Sequence, residues 1–348
     1  DTEADDRFGS TVSVDGNYAV IGADNEDAGG SNAGAVYIFY KSGGTWAQQA
    51  KLVAGNADAG DKFGRSVSIS GDYVVVSSPF EDTTATDSGS VYIFKRSGTT
   101  WSQQQQIQAS DAADSDFLGA GIGQGGGGIA IDNDYFIIGA VNNDDGGTNT
   151  GSAYIFKRNT GSETWSEQSK LVASDPTAGD QFGTSVAISG DYAVAGAPNE
   201  EILATGTNAG SVYIFKRSGV SWSQQQKIQA SDAEADDAFG VGVSLSGDYL
   251  AVGARTEDTG GSQAGSVYIF KKEVVGLNQV GHKIPDEHTA YYAASDWICQ
   301  SVSGTVGIYK HIYRTGMDVD AHSSTGYVGI NTIQYDSSTS TWSDHGTG

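Results

Sequence analysis

Apolar and polar residues along this chain repeat one pattern several times. Residues 67–70, Val-Ser-Ile-Ser, alternate apolar and polar positions, and residues 73–78 form a mostly apolar run after the Gly-Asp pair at 71–72. Two short strands around a Gly-Asp turn are typical of a β-hairpin. Residues 89–97 and 101–110, separated by a short turn, predict a second hairpin. Each unit is therefore expected to contain four short antiparallel strands.

The pattern recurs with a long period that a Phe-Gly pair marks. Five clear units start at Phe8, Phe63, Phe117, Phe182 and Phe239, and a divergent sixth starts near Trp297. Four strands in a period of this length predict the blade of a β-propeller. We therefore expect an all-β fold in which residues 1–348 form a single propeller domain of four-stranded antiparallel blades. We count six blades, or seven if one blade lies outside the chain.

The third strand of each unit is apolar on both of its faces. In residues 91–94, Val91 and Ile93 point to one side of the strand, and Tyr92 and Phe94 point to the other. A sheet with one face in water would carry polar residues at alternate positions. The pattern therefore predicts that blades pack face to face around an axis.

Composition and charge restrict the classes of partner. The chain has 43 acidic and 19 basic residues, a formal net charge of -24 and a hydrophobic content of 38%. This charge repels phosphate backbones and anionic lipids, so nucleic acid is not expected as a partner. No apolar run is long enough to predict insertion in a membrane. Cys299 is the only cysteine, so an intrachain disulfide is excluded.

These motifs resemble the FG-GAP repeat proteins, which include the N-terminal β-propeller of integrin α subunits. The Phe-Gly pair recurs, and the Gly-Ala-Pro element is intact at 196–198. The resemblance implies an extracellular or cell-surface protein that binds a partner through loops at one end of the blades. Two features depart from the integrin pattern, which has seven blades and a calcium loop of the form D-x-D-x-D-G-x-x-D. The turns at 15–17, 70–72 and 132–134 are too short to supply the six or more oxygen ligands of Ca²⁺, so these family sites are not expected here.

Acidic residues concentrate at the opposite end of each unit from these short turns. We call the end with the short turns the bottom and the acidic end the top. Carboxylates of adjoining top loops could bind Ca²⁺, or they could form a solvated surface with some aspartates capping turns. The candidate Ca²⁺ ligands are Asp24, Glu26, Asp27, Glu81, Asp82, Asp144, Asp145, Glu257 and Asp258.

A second candidate metal site lies in the divergent unit. If residues 318–322 are extended, Asp318, Asp320 and His322 lie on one side and could bind Zn²⁺ or Mn²⁺. The alternative is that this unit simply differs in composition. No motif for nucleophilic or zinc-dependent hydrolysis is present, so no catalytic residue is predicted.

Three hypotheses for function follow. The first is a non-enzymatic extracellular or cell-surface adhesion propeller, in which the acidic top loops hold a protein or glycan partner together with Ca²⁺. The second is a structural module that self-associates in a surface layer, stalk or filament, because acidic tops could face basic bottoms. The third is a metal-dependent hydrolase or lyase that uses the divergent unit.

Overall fold

The computed structural model describes residues 5–121, 127–201, 207–258 and 262–273. Farther along the chain it describes the backbone of the strands at 276–283, 296–303, 306–314, 328–336 and 341–347. Within these ranges the chain forms strands, turns and loops, and it contains no helix with the length and hydropathy to span a bilayer.

Twenty-four strands are defined, four to a sheet. The first twelve are β1 (Thr11–Asp15), β2 (Tyr18–Ala23), β3 (Ala35–Ser42), β4 (Thr45–Leu52), β5 (Val67–Ser70), β6 (Tyr73–Ser78), β7 (Ser90–Ser97), β8 (Thr100–Ile107), β9 (Ile129–Asp132), β10 (Tyr135–Ala140), β11 (Ser152–Arg158) and β12 (Trp165–Leu171). The second twelve are β13 (Ser185–Ser189), β14 (Tyr192–Ala197), β15 (Ser211–Ser218), β16 (Ser221–Ile228), β17 (Phe239–Ser246), β18 (Tyr249–Ala254), β19 (Ser266–Glu273), β20 (Gly276–Lys283), β21 (Asp296–Ser303), β22 (Val306–Arg314), β23 (Val328–Asp336) and β24 (Thr341–Thr347).

Each sheet is an antiparallel meander in chain order, which confirms the all-β propeller of four-stranded blades. The five repeats form blades 1 to 5, from β1–β4 to β17–β20. This number corrects the expected count of six or seven, because only these five units contain the full anchor and hairpin pattern. The strands β21–β24 pair with one another as a further sheet of four. The side chains that would pack this sheet as a blade lie outside the described residues.

The hydrophobic core lies between neighbouring blades, as the two-sided apolar strands predicted. Tyr92 and Phe94 pack toward blade 1 with Val36 and Ile38, whereas Val91 and Ile93 pack toward blade 3. Both faces of β7 are therefore removed from water, and burial of this apolar surface stabilises the ring of blades.

The Phe-Gly and Gly-Ala-Pro elements meet at the top of each junction between blades. Phe63 packs edge-on against Tyr92, with 5.3 Å between ring centroids. Gly196 of blade 4 lies so close to the next blade that an added Cβ would be 2.0 Å from the carbonyl oxygen of Gly240. At this junction only glycine permits the approach of two backbones. Gly22 and Gly139 make the same approach to the next blade, whereas blade 2 has Ser77 at this position.

The third unit differs from its expected alignment by one residue. The buried anchor there is Leu118, whereas Phe117 has a positive φ of 53° and packs against Phe80. In this unit Phe117 and Leu118 both precede the glycine, and Leu118 takes the place of the usual anchor phenylalanine. The unit therefore begins one position later than Phe117.

Basic residues at the bottom are paired within the protein. The Arg158 guanidinium forms an ion pair with Asp134 of its own blade and lies over the ring of Tyr73 in the preceding blade. Arg96, Arg217 and Lys272 make the corresponding ion pairs with Asp72, Asp191 and Asp248. These four cations are thus neutralised locally, whereas Lys157 and Lys216 lie over tyrosine rings.

Candidate functional site

The candidate site is the set of top loops, each of which connects the second strand of a blade to the third. In blade 1 this loop follows Ala23 and ends at Gly34, and the pairing of Thr11 with Gly22 places the start of the inner strand at the same end. The top loops and the links between blades therefore share one end of the propeller. Two acidic positions recur in the loops, and the structure gives them different roles.

The first acidic position is buried and organises the loop. It is occupied by Glu26, Glu81, Asn143, Glu200 and Glu257, all at most 7% exposed. Glu81 accepts hydrogen bonds from the backbone N–H of Thr83 and the hydroxyl of Ser90, and its carbonyl oxygen accepts the N–H of Gly89. Since buried polar groups must be hydrogen-bonded, this side chain holds both ends of the loop together.

The second acidic position caps the loop from the surface. Asp27, Asp82 and Asp144 each accept a hydrogen bond from the backbone N–H five residues later, at distances of 2.7, 2.7 and 2.6 Å. The donor residues, Asn32, Asp87 and Asn149, have positive φ values, which asparagine and aspartate tolerate better than most side chains. The loops are therefore rigid turns with a common framework.

A lysine of the outer strand and an aspartate of the preceding link complete this framework. Lys227 Nζ donates to Glu200 and, at 2.8 Å, to Asp175 of the link. The hydroxyl of Tyr213, a fully buried residue, donates to both carboxylates. Burial alone would raise the pKa of Asp175, but hydrogen bonds from Lys227 and Tyr213 bring it below its usual value. Lys51 and Lys170 occupy the corresponding positions in blades 1 and 3.

Blade 2 satisfies its buried loop glutamate without a lysine. Gln106 stands at the lysine position, and the link residue is Asn56 rather than aspartate. Asn56 Nδ2 donates to Glu81 Oε1 at 3.0 Å, while Asn56 Oδ1 accepts the hydroxyl hydrogen of Tyr92 at 2.8 Å. In blade 2 the cation is missing and the link acid is a neutral amide, so the buried charge is that of Glu81 alone.

The links contain another set of equivalent buried acids, namely Asp61, Asp116, Asp180 and Asp237. Each accepts the backbone N–H of the residue three positions earlier. Burial raises the pKa of all four carboxyls, and it raises the pKa of Asp61 to about 6. These acids close the link turns at some electrostatic cost near neutral pH.

The remaining predicted acids also have specific places. Asp24 is fully buried between blades 1 and 2, where it forms an ion pair with Arg65 at 3.0 Å, and Arg7 lies 3.9 Å away. Asp145 forms an ion pair with Lys170, Glu257 accepts the hydroxyl hydrogen of Ser266, and Asp258 is exposed.

Each loop therefore uses its acids mainly for its own structure. In the part of the chain that the structure describes, no group of three or more acidic, histidine or cysteine side chains could hold a metal ion. Calcium binding at the nine candidate acids stays a prediction. The alternative metal ligands Asp318, Asp320 and His322 lie outside the described residues.

Sequence reasoning missed the lysines and tyrosines that accompany these acids. A signal was present, because Lys51, Lys170 and Lys227 each precede a leucine or isoleucine at the end of the outer strand. Their partners are 25 to 59 residues away along the chain, so only the tertiary structure shows the contact.

The repeat unit matches a known protein family. The family described as FG-GAP repeat matches residues 1–39, 46–94, 101–156, 165–215 and 222–270. No curated protein matches the chain at a significant level.

Similar solved structures are propeller-like and distant in sequence. A periplasmic gluconolactonase of Pseudomonas aeruginosa is 12% identical, with a TM-score of 0.58 over 97% of this chain and 85% of that one. A structure described as a 6-phosphogluconolactonase from Bacteroides uniformis is 14% identical, with a TM-score of 0.56 over 97% and 84%. Saccharomyces cerevisiae Sqt1 is 11% identical, with a TM-score of 0.50 over 98% and 86%. At these identities the similarity concerns the fold alone.

Proposed function

The chain belongs to the FG-GAP repeat family, and from that membership we propose that it is a non-enzymatic binding propeller of the cell surface or extracellular space. Its top loops hold a protein or glycan partner in an adhesion role. In this proposal a rigid scaffold presents variable loop tips, which is a common way for repeat folds to build a binding face.

The observation that supports the proposal is the division of each top loop into a constant frame and a varied tip. The frame is the buried first position together with the capping aspartate. The tips between these frames read Ala-Gly-Gly-Ser at 28–31, Thr-Thr-Ala-Thr at 83–86 and Asp-Gly-Gly-Thr at 145–148, and they are largely exposed. Small side chains on stiff turns leave the face accessible to a large partner.

The proposal is tested by binding to immobilised glycans and extracellular-matrix proteins. Thr84→Lys changes an exposed tip, and Thr99→Lys is the matched control in the exposed bottom turn of the same blade. We expect the top substitution to weaken binding at least severalfold and the bottom substitution to leave it unchanged. Equal binding by both variants would remove the top face from consideration.

Calcium is part of the proposal. Asp27, Asp82 and Asp144 each use one carboxylate oxygen to cap a loop, and hard oxygen ligands of this kind suit Ca²⁺. A cation bound only by the folded protein raises its melting temperature. We expect a saturable rise with Ca²⁺ at constant ionic strength, greater than with Mg²⁺, and a smaller rise for Asp82→Asn. No rise beyond that of ionic strength would mean that these acids are solvated caps.

Stacking of propellers from top to bottom, the alternative self-association role, is less favoured, since Arg96, Arg158 and Arg217 at the bottom are already paired within their own blades.

A further inference from the structure

The junction between blades 1 and 2 has a charge pattern that the other described junctions lack. At its top lie three basic side chains around one acid, which we call the cationic junction: Arg7, Lys62, Arg65 and Asp24. The residue before each Phe-Gly anchor adopts a positive φ, 56° in Arg7 and 58° in Lys62. The equivalents of these two residues in blades 3 to 5 are Phe117, Gln181 and Ala238. The equivalents of Arg65 are Ala120, Thr184 and Val241.

The charges in the cationic junction do not balance. The buried carboxylate of Asp24 is 3.0 Å from Arg65 Nη1 and 3.9 Å from Arg7 Nη1, both measured to its Oδ2. Its other oxygen, Oδ1, is buried without a hydrogen-bond partner in the described part of the chain. Arg65 is therefore neutralised, while the guanidinium of Arg7 stays one-third exposed and beyond hydrogen-bond distance.

Lys62 is a cation held by neutral groups. Its Nζ donates to the side-chain oxygens of Asn25 and Asn32 and forms no ion pair within the described ranges. Burial lowers the pKa of Lys62, and the charges of Arg7 and Arg65 lower it further against the opposing effects of Asp24 and Asp27. In contrast, the top lysines Lys51, Lys170 and Lys227 all lie against carboxylates.

In the described ranges Lys62 has no carboxylate within ion-pair distance, and Arg7 reaches only Asp24, at 3.9 Å, so both cations keep donors for a further anion. We propose that the cationic junction binds a single carboxylate group of an acidic saccharide, between Arg7 and Lys62. This inference rests on the proposed binding function and specifies the chemistry of its ligand.

The surroundings decide between the classes of anion. The acidic loops around the junction repel chains with many negative charges, so the ligand carries one charge or a few widely spaced ones. The groups beside Lys62 are the amides of Asn25 and Asn32, which suit the hydroxyls of a sugar ring, whereas peptide ligands commonly need an apolar pocket as well.

The test measures binding of D-glucuronate and D-glucose by calorimetry or NMR titration at constant ionic strength. Lys62→Gln and Arg7→Ala are matched substitutions, since Gln181 and Ala238 occupy the same backbone position with φ of 55° and 56°. Lys216→Gln, at the bottom over the ring of Tyr192, is the control. We expect glucuronate to bind at least tenfold more tightly than glucose, each junction variant to lose about tenfold, and the control to lose nothing.

Equal binding of glucuronate and glucose, or unchanged binding by Lys62→Gln, overturns the inference. Tighter binding of N-acetyl-aspartate amide than of glucuronate overturns the assignment to a saccharide, and tighter binding of a heparin oligosaccharide overturns the preference for a single charge. Failure of this inference can be distinguished from failure of the proposed function. A neutral glycan or protein that binds Lys62→Gln as well as the wild type, and binds Thr84→Lys less well, leaves the top face as a binding surface without this site.

Discussion

Replacing Lys227 by glutamine tests whether the lysine at the end of the outer strand offsets buried negative charge. Lys227 lies against Asp175 and Glu200, and the side chains of these three residues are 24%, 51% and 5% exposed. Glutamine can keep a hydrogen bond but cannot offset two carboxylates. Breaking a fully buried ion pair costs about 3–5 kcal/mol. Because Asp175 is half exposed, we expect Lys227→Gln to lower the free energy of unfolding by about 2 kcal/mol.

Blade 2 indicates how the loss can be repaired. It combines Gln106 with Asn56 at the positions of Lys227 and Asp175. Adding Asp175→Asn to Lys227→Gln should therefore recover roughly half of the lost stability, about 1 kcal/mol, since one unpaired charge disappears. Asp175→Asn alone should destabilise slightly, because Lys227 then keeps only Glu200 as an acidic partner.

The double-mutant cycle is measured by urea unfolding, with thermal unfolding as a second readout. A loss of about 2 kcal/mol corresponds to a fall in melting temperature of about 3 °C for a chain of this size. Lys216→Gln serves as the control for removing one positive charge from a net-negative protein. Additive effects of the two substitutions, within about 0.3–0.5 kcal/mol, would refute the reasoning, because residues in one charge network must show coupling.

Two further predictions concern pH and backbone packing. Burial raises the pKa of Asp61 to about 6, above its value in the unfolded chain, so the free energy of unfolding should rise as pH falls from 7 toward 5. Asp61→Asn should stabilise the protein at pH 7 by about 2 kcal/mol and reduce this dependence on pH. A free energy of unfolding that falls over the same pH interval contradicts the assignment. Gly196→Ala should destabilise by about 2 kcal/mol or more, because its Cβ meets a backbone carbonyl of the next blade. Gly242→Ala, in strand β17 with open space and without a left-handed φ, is the comparison in denaturant unfolding.

Much of the fold could be predicted from the sequence because its information is local and repeated. Short strands are recognised by alternating apolar and polar residues and by turn residues such as the Ser-Gly-Asp at 70–72. Five copies of the same pattern make the prediction firmer than one copy would. Apolar residues on both faces of Val91–Phe94 required covered faces, since few arrangements other than stacked blades bury both sides of a four-stranded sheet. The shift from Phe117 to Leu118 was missed because the two residues are equally apolar.

The roles of the top acids could not be read in the same way. The sequence Asn-Glu-Asp at 25–27 does not distinguish carboxylates that face solvent from carboxylates that bind a cation or cap a turn. The answer depends on donors that come from elsewhere, such as Lys51 and the loop's own backbone N–H groups. The electrostatic role of a carboxylate depends on its distance from other charges and on its burial, and the spacing of residues along the sequence gives neither.

The sequence by itself determined the repeat, the four strands of each blade, the two-sided core and the negative charge of the molecule, because each follows from local pattern or from composition. The tertiary structure decided which acids are buried, which cations neutralise them, and that Arg7, Lys62 and Arg65 surround Asp24 at one junction. These contacts join residues from different blades and links, and only the folded ring brings them within a few ångströms.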